Sequence, residues 1–199
     1  MARLNLDQLS QKINYDKSAA RQSQEWFSSQ VKYLANQVSR QSLMANGRRL
    51  HSNLVPGQMA LFSYFPKGAE TLPYYDVFPL VIPFAQDATS FTGINFHYLP
   101  VKMRVVLLKN LLGFATNKTL TEKTKMRLSW QFIGGVSKYR GVNAAVKKYR
   151  FDHLESQFLF IPADQWFNAV MLPIEKFNTG KDAVYVDKNL VWRDSIKYL

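Results

Sequence analysis

The stretch that decides the fold runs from residue 57 to residue 100 and reads GQMALFSYFPKGAETLPYYDVFPLVIPFAQDATSFTGINFHYLP. It contains three apolar, aromatic runs, each of strand length and each bounded by Gly, Pro or a polar cluster. These runs predict three strands, at 58–65, 76–84 and 91–99. Short strands at such close spacing predict a small antiparallel β-barrel or meander over about 55–100.

Three residues within these runs do not suit the middle of a regular strand. Pro79 and Pro83 lack a backbone N–H, so we expect the second strand at a sheet edge or irregular. Gly93 interrupts the third strand, where the missing side chain indicates a bulge or the close approach of another backbone segment.

Helical patterns flank this region. Pro100 suits the start of a helix over 101–114, and a second helix is expected over 122–133. Residues 137–149 are interpreted as a basic connector that becomes helical after Gly141. The segment 151–161 fits a strand and a helix equally well.

The predicted fold class is therefore α+β, with a small antiparallel barrel or meander flanked by helices and with extended terminal arms. The parts are a polar amphipathic helical arm (1–50), an α+β core (51–177) and a C-terminal tail (178–199). The core divides into the barrel (55–100), a basic helical part (101–150) and a closing segment (151–177), which includes a short helix at 162–171.

The charge of the chain is concentrated in one quarter. The net charge is +12, and residues 101–150 hold twelve basic residues against the single acid Glu122. Tyr139 and Tyr149 are interleaved with the cations, as in surfaces that neutralise phosphates and stack on bases. The pattern predicts either nucleic-acid binding or an acidic protein partner, and a merely solvated basic face is the alternative. The candidate contact residues are Lys123, Lys125, Arg127, Lys138, Arg140, Lys147, Lys148 and Arg150.

No pattern of catalytic or metal-binding residues emerges. The chain has no Cys and only three His, and it contains no phosphate-binding loop, nucleophile elbow or paired-His zinc motif. Asp76, His97 and Glu175 are the residues considered as catalytic acids or bases. A turn-capping role accounts for Asp76, and a structural role accounts for His97. We therefore predict a protein that is not an enzyme, has no metal or cofactor and has no small-molecule substrate. No apolar run reaches the length of a membrane helix, so a soluble protein without a membrane partner is expected.

Several motifs in this chain resemble a family of small virion proteins of T4-type tailed bacteriophages. The specific ones are Leu72-Pro73-Tyr74-Tyr75-Asp76, Phe78-Pro79-Leu80 and Gly93-x-Asn95-x-His97-Tyr98-Leu99-Pro100. Further pieces include Arg104 with Leu107-Leu108, Ser129-Trp130, Leu172-Pro173 and Val191-Trp192-Arg193-Asp194-Ser195. The resemblance covers about 57–195 and leaves the N-terminal helix outside it.

The resemblance implies a protein of the virion, made in the host cytoplasm. The first hypothesis is a structural component of the tail, baseplate or neck that assembles with other virion proteins. The alternative is a DNA-end-binding or head-completion protein that contacts packaged double-stranded DNA through residues 118–150. Apolar side chains near the two ends predict that at least one end docks on another chain. The interface residues expected for this docking are Phe27, Val31, Leu34, Val38, Val191 and Trp192.

Overall fold

A computed structural model describes residues 50–115, 135, 140–180 and 182–196. The strands formed by these residues are β1 (Leu50–His51), β2 (Ala60–Leu61), β3 (Tyr75–Asp76), β4 (Leu80–Gln86), β5 (Ser90–Asn95), β6 (Val146–Arg150), β7 (Phe158–Phe160), β8 (Phe177–Thr179) and β9 (Val184–Val186). Their α-helices are α1 (Val101–Ala115), α2 (Arg140–Asn143), α3 (Trp166–Met171) and α4 (Lys188–Ile196). Short 3-10 helices occupy Ala69–Thr71, Phe96–Tyr98, Phe151–His153 and Ala163–Gln165.

The α+β class is confirmed. Of the two predicted arrangements, the closed barrel is wrong, whereas β2, β4 and β5 pair antiparallel as neighbours, as in a meander. Six strands form one open sheet in the order β1-β7-β2-β4-β5-β6, and every neighbouring pair is antiparallel. Only three of these strands come from the 55–100 region. The others are contributed by residues distant in the sequence, so local strand spacing could not reveal the sheet.

After β6, the chain crosses to the opposite end of the strand order, where β7 pairs with β1 and β2. Tyr64, just beyond β2, forms an isolated antiparallel bridge with Leu154. The Phe65 amide donates to the His153 carbonyl at 3.2 Å, and the Glu155 amide donates to the Ser63 carbonyl at 3.0 Å. These bonds join the end of β2 to the segment before β7, and the six-stranded sheet stays open.

The second strand was expected to be either at an edge or irregular, and it is irregular inside the sheet. β4 lies between β2 and β5, and its register with β5 shifts between Pro83 and Ala85. The bulge accommodates the missing N–H of Pro83 inside a sheet. Opposite it, a Cβ on Gly93 would lie 2.3 Å from Val81 Cγ1 and 2.8 Å from the Ile82 carbonyl oxygen. The close approach predicted at Gly93 is therefore confirmed.

An aromatic cluster fills one face of the six-stranded sheet. Phe62, fully buried, makes edge-to-face contacts with four neighbouring rings at centroid distances of 5.3–6.3 Å. Each such pair contributes beyond the apolar area that it buries. The buried members of this cluster are Leu54, Ala60, Phe62, Tyr64, Val81, Phe91, Tyr149, Phe158 and Phe160.

The extended C-terminal tail is not found over 177–196. The strands β8 and β9 pair antiparallel, and β8 also pairs with β3, which makes a second, three-stranded sheet. The helix α4 follows, and its Val191 and Ser195 are buried. The described part of the predicted tail is thus strand and helix rather than an extended arm, and Val191 joins the core.

The expectations for the helical part have mixed outcomes. The helix at 101–114 is confirmed as α1, which packs against α3. The connector 137–149 does become helical as α2, but its end is the strand β6. The segment 151–161, for which a strand and a helix were equally expected, begins with a 3-10 helix and continues into the strand β7. The predicted helical arm lies outside the described residues up to residue 49, and so does the predicted helix at 122–133. Among the described residues, no helix is long and apolar enough to cross a bilayer.

Candidate nucleic-acid interface

The strand β6 carries three of the predicted phosphate-binding residues at the end of the six-stranded sheet. It pairs with β5 in a register that places Lys147 opposite Gly93 and Lys148 opposite Thr92. Side chains alternate between the two faces of a strand. Lys148 and Arg150 therefore point outward and are exposed, whereas Lys147 and Tyr149 point toward the protein interior.

The two outward cations are already paired with carboxylates. Lys148 Nζ lies 3.4 Å from Asp87 Oδ2, and both side chains remain more than half exposed. Arg150 binds Asp152 with two hydrogen bonds, of which Nε to Oδ1 measures 2.9 Å. The Arg150 hydrogen bond lowers the pKa of Asp152 to about 2. This edge consequently presents cations whose charges are locally balanced.

The two inward residues do not fit the predicted roles. The Lys147 ammonium lies 4.1 Å from the centre of the Tyr98 ring, and burial lowers its pKa. Tyr149 is 4% exposed and is enclosed in the aromatic cluster, where its hydroxyl accepts a hydrogen bond from Asn95. The prediction that Tyr149 stacks on an exposed base is therefore wrong, and Lys147 is not positioned as a free phosphate contact.

The remaining predicted cations are only partly within the described structure. Lys123, Lys125, Arg127 and Lys138, together with Tyr139, lie outside the described residues. Arg140 begins α2, where only its backbone is described. Their proposed contact with an acidic partner stays a prediction.

The described part of the chain is nearly neutral, so most of the positive charge lies in the remaining residues. It contains eleven basic and ten acidic residues, a net charge of +1 out of the +12 of the whole sequence. The rest of the excess belongs to residues 1–49, 116–134, 136–139, 181 and 197–199. Long-range attraction of a polyanion by this protein therefore originates mainly in these segments.

A buried polar cluster joins the two sheets behind β6. Asp76 Oδ2 accepts a hydrogen bond from Asn95 Nδ2 at 2.9 Å and lies 2.8 Å from His97 Nδ1. The other Asp76 oxygen accepts from the Phe78 amide, which confirms a turn-capping role. None of the three polar residues exceeds 4% exposure, so a substrate has no access to them. Asp76 and His97 are thus structural. The sequence drew attention to each residue separately but did not show that they contact each other.

A second buried group is centred on Arg104 of α1. Its guanidinium donates to three carbonyl oxygens, those of Leu99 (2.7 Å), Val170 (3.1 Å) and His97 (3.3 Å). Its Nη2 also lies 3.7 Å from Glu175 Oε1. One side chain therefore ties the end of the first sheet to α3 and to the segment before β8.

Glu175 balances the buried guanidinium. Its Oε1 accepts a 2.8 Å hydrogen bond from Lys188 Nζ, at the start of α4. Burial raises the pKa of the Glu175 carboxyl, but Arg104, His97 and Lys188 together outweigh this effect and hold the pKa below its ordinary value. Trp192 closes the group by donating its Nε1–H to the His97 carbonyl at 2.8 Å, with the Arg104 guanidinium 5.2 Å from its ring. Throughout the described ranges no three His, Asp or Glu side chains meet in a way that would hold a metal ion.

A family model described as the phage T4 terminal DNA protecting protein matches residues 5–195 of the chain. The chain belongs to this family. No curated protein and no solved structure gives a match. Membership confirms the T4-type phage resemblance, and it favours DNA-end protection over the tail, baseplate or neck role, for which the match gives no support.

The match of the terminal DNA protecting protein family also corrects the extent of the resemblance. It begins at residue 5, so the polar N-terminal segment lies within the family rather than outside it. The motif residues that carry the resemblance lie in the interior, unlike the exposed cations Lys148 and Arg150 of β6. Asp76, Asn95, His97 and Arg104 all lie in the buried polar groups. In this family member, those motifs identify the framework of the fold.

The pairing of Arg104 with Glu175 was not predicted from the sequence. A cation within a helix ordinarily reaches solvent or a partner, but Arg104 is only 1% exposed. A signal was present in the sequence. Arg104 is followed at helical spacing by Leu107, Leu108 and Leu111, all buried, so it occupies the apolar stripe of α1.

The predicted subunit-interface residues divide into two groups. Phe27, Val31, Leu34 and Val38 lie outside the described residues, so their role stays a prediction. Val191 is fully buried, and Trp192 is half-buried and bonded to His97 within the same chain. Val191 therefore serves the core of this family member and is not available to a partner.

Proposed function

We propose that this protein binds the ends of linear double-stranded DNA and shields them from exonucleases. The observation that carries the proposal is the match of the DNA-protecting family over residues 5–195. The net charge of +12 supports it, because cationic side chains bind the phosphate backbone irrespective of sequence.

The proposed mechanism is steric cover and not chemistry. Asp76 and His97, an acid–base pair 2.8 Å apart, are sealed inside the core. The protein is accordingly proposed to act without a metal or cofactor, by occupying the terminus that an exonuclease must engage. The basic segment 118–150 supplies the main DNA contact, with Lys148 and Arg150 on the strand β6.

Reversing the four charges of Lys123, Lys125, Arg127 and Lys138 to Glu is expected to abolish protection of an end-labelled linear duplex against a processive exonuclease. In wild-type protein, the logarithm of the DNA-binding constant should fall linearly with the logarithm of salt concentration, because each phosphate contact releases counterion. The slope should be smaller in magnitude in the variant. Gel shift at low salt, with linear and covalently closed duplexes compared, measures affinity and end preference.

A matched control carries four reversals on the described core, at Lys67, Lys102, Lys109 and Arg193, all exposed. It changes the net charge equally but should retain most of the protection. Wild-type protein that neither shifts nor protects DNA at low salt would overturn the proposed function. Equal losses in both variants would show that binding follows net charge and not the 118–150 segment.

Replacing Asp152 with Asn is expected to strengthen DNA binding a few-fold at low salt. The substitution removes the negative charge and one of the two oxygen acceptors that hold Arg150, so the guanidinium is held less tightly and meets a phosphate more readily. Stability should hardly change, since both side chains are about half exposed. Glu70→Gln removes an equal charge from the exposed 3-10 helix Ala69–Thr71 and is the control. If the two variants gain affinity equally, the β6 edge does not contact DNA.

A further inference from the structure

The strand β9 is unusually uncovered for part of a folded core. Val184 and Tyr185 are 57% and 63% exposed, although consecutive strand residues point to opposite faces. Within the part of the chain that is described, β9 pairs with β8 alone, so its outer edge has no strand beside it. An apolar free edge of this kind is a ready site for the addition of another strand.

We propose that β9 is a contact between two copies of this chain, paired antiparallel about a two-fold axis at Tyr185. In this register Val184 of each copy lies opposite the partner's Val186, and the two Tyr185 rings meet at the axis. The strand contains no charged residue, so apolar side chains face apolar side chains throughout. Such a surface is self-complementary, as a two-fold interface requires.

The residues that flank the strand favour the same orientation. Asp182 stands three residues before Tyr185, and Lys188 stands three residues after it. Antiparallel pairing about Tyr185 brings Asp182 of each copy toward the partner's Lys188. Parallel pairing in register would instead place Asp182 beside Asp182 and Lys188 beside Lys188, and like charges directly opposite each other are destabilising.

Lys188 is able to serve both its own Glu175 and this second acid. Its ammonium has three donors, and one of them is used in the 2.8 Å bond to Glu175. The side chain remains 34% exposed, so part of it is open to solvent.

The composition of this surface points to a protein partner and not to DNA. Val184, Tyr185 and Leu190 are exposed apolar residues, and the exposed charges beside them include the acids Asp182 and Asp187. A phosphate backbone would be repelled by these acids. The contact is thus separate from the proposed DNA interface and does not rest on it. A three-residue strand buries far less area than a standard interface, so the pairing should be weak in dilute solution.

Covalent capture tests the register directly, because the chain has no Cys of its own. Tyr185→Cys is expected to form a disulfide-linked dimer under mild oxidation, since residues opposite each other have Cα atoms about 4.5–5.5 Å apart. Val184→Cys and Val186→Cys should each stay monomeric alone, because like positions are then about 8 Å apart, beyond disulfide reach. An equimolar mixture of these two variants should cross-link.

Ala88→Cys, on the exposed turn between β4 and β5, measures the rate of random collision. Non-reducing gel electrophoresis over a time course gives the rates, and circular dichroism verifies that each variant is folded. Tyr185→Cys that cross-links no faster than Ala88→Cys would overturn the proposal. Cross-linking of Val184→Cys alone as fast as Tyr185→Cys would also overturn it, by excluding an axis at Tyr185.

Discussion

Replacing Arg104 with Met is expected to lower the free energy of unfolding by about 3 kcal/mol or more. The change removes the donor shared by the Leu99, Val170 and His97 carbonyls and leaves Glu175 with Lys188 as its cationic partner. Buried acceptors that lose their donors keep the full cost of their desolvation. Urea unfolding followed by tryptophan fluorescence measures the loss.

Lys102→Met is the matched control, since it removes the same charge from an exposed position of the same helix. Its effect should stay within about 0.5 kcal/mol. Arg104→Lys should fall between wild type and Arg104→Met, because an ammonium keeps the charge but cannot reach three carbonyls as the planar guanidinium does. An Arg104→Met protein as stable as the Lys102→Met protein would contradict the buried arrangement.

The ion pair between Arg104 and Glu175 predicts how the stability of the protein depends on pH. The pKa of Glu175 in the folded protein lies below its ordinary value of 4.5. A carboxyl with a lowered folded-state pKa stabilises the fold above its unfolded pKa, and this contribution is lost as pH falls through the folded value. Wild-type stability should therefore decline below about pH 4.5. Arg104→Met should decline less steeply there, because the largest favourable charge next to Glu175 is gone.

Replacing Phe62 with Ala is expected to destabilise the protein by about 3–5 kcal/mol. Phe62 is fully buried and lies between the rings of Phe91, Tyr149 and Phe158, so its removal leaves a cavity that several stiff aromatic rings border. Rings held by strands on both sides cannot collapse into the space without moving the sheet. The midpoint of urea unfolding and the melting temperature should both fall.

Phe65→Ala provides the comparison, because Phe65 is three residues away but 40% exposed. It should cost less than about 1 kcal/mol. Phe62→Leu keeps much of the apolar volume and should lie between the two. If Phe62→Ala loses less than about 1 kcal/mol, the aromatic cluster is not packed around Phe62 as described.

The sequence by itself determined the properties that depend on nearby residues. The run of apolar residues after Pro100 predicted α1, and the Pro83 and Gly93 irregularities predicted a disturbed strand pair, because each effect arises within a few residues of backbone. The motifs around Asp76 and His97 also identified a T4-type phage family, which the match over 5–195 confirms. The absence of Cys and the +12 charge follow directly from composition.

The tertiary structure alone decided which distant segments meet. The barrel prediction failed because β6 and β7 come from beyond residue 145 and complete the sheet through antiparallel pairing. Tyr149 was taken for a base-stacking residue because a basic strand looks solvated in sequence, but the alternation of strand faces buries every second side chain. Arg104 and Glu175 are 71 positions apart, so the apolar stripe of α1 could indicate that Arg104 is buried but not which acid it meets. Charge and periodicity are local, whereas burial depends on the whole chain, and this difference separates what the sequence could determine from what it could not.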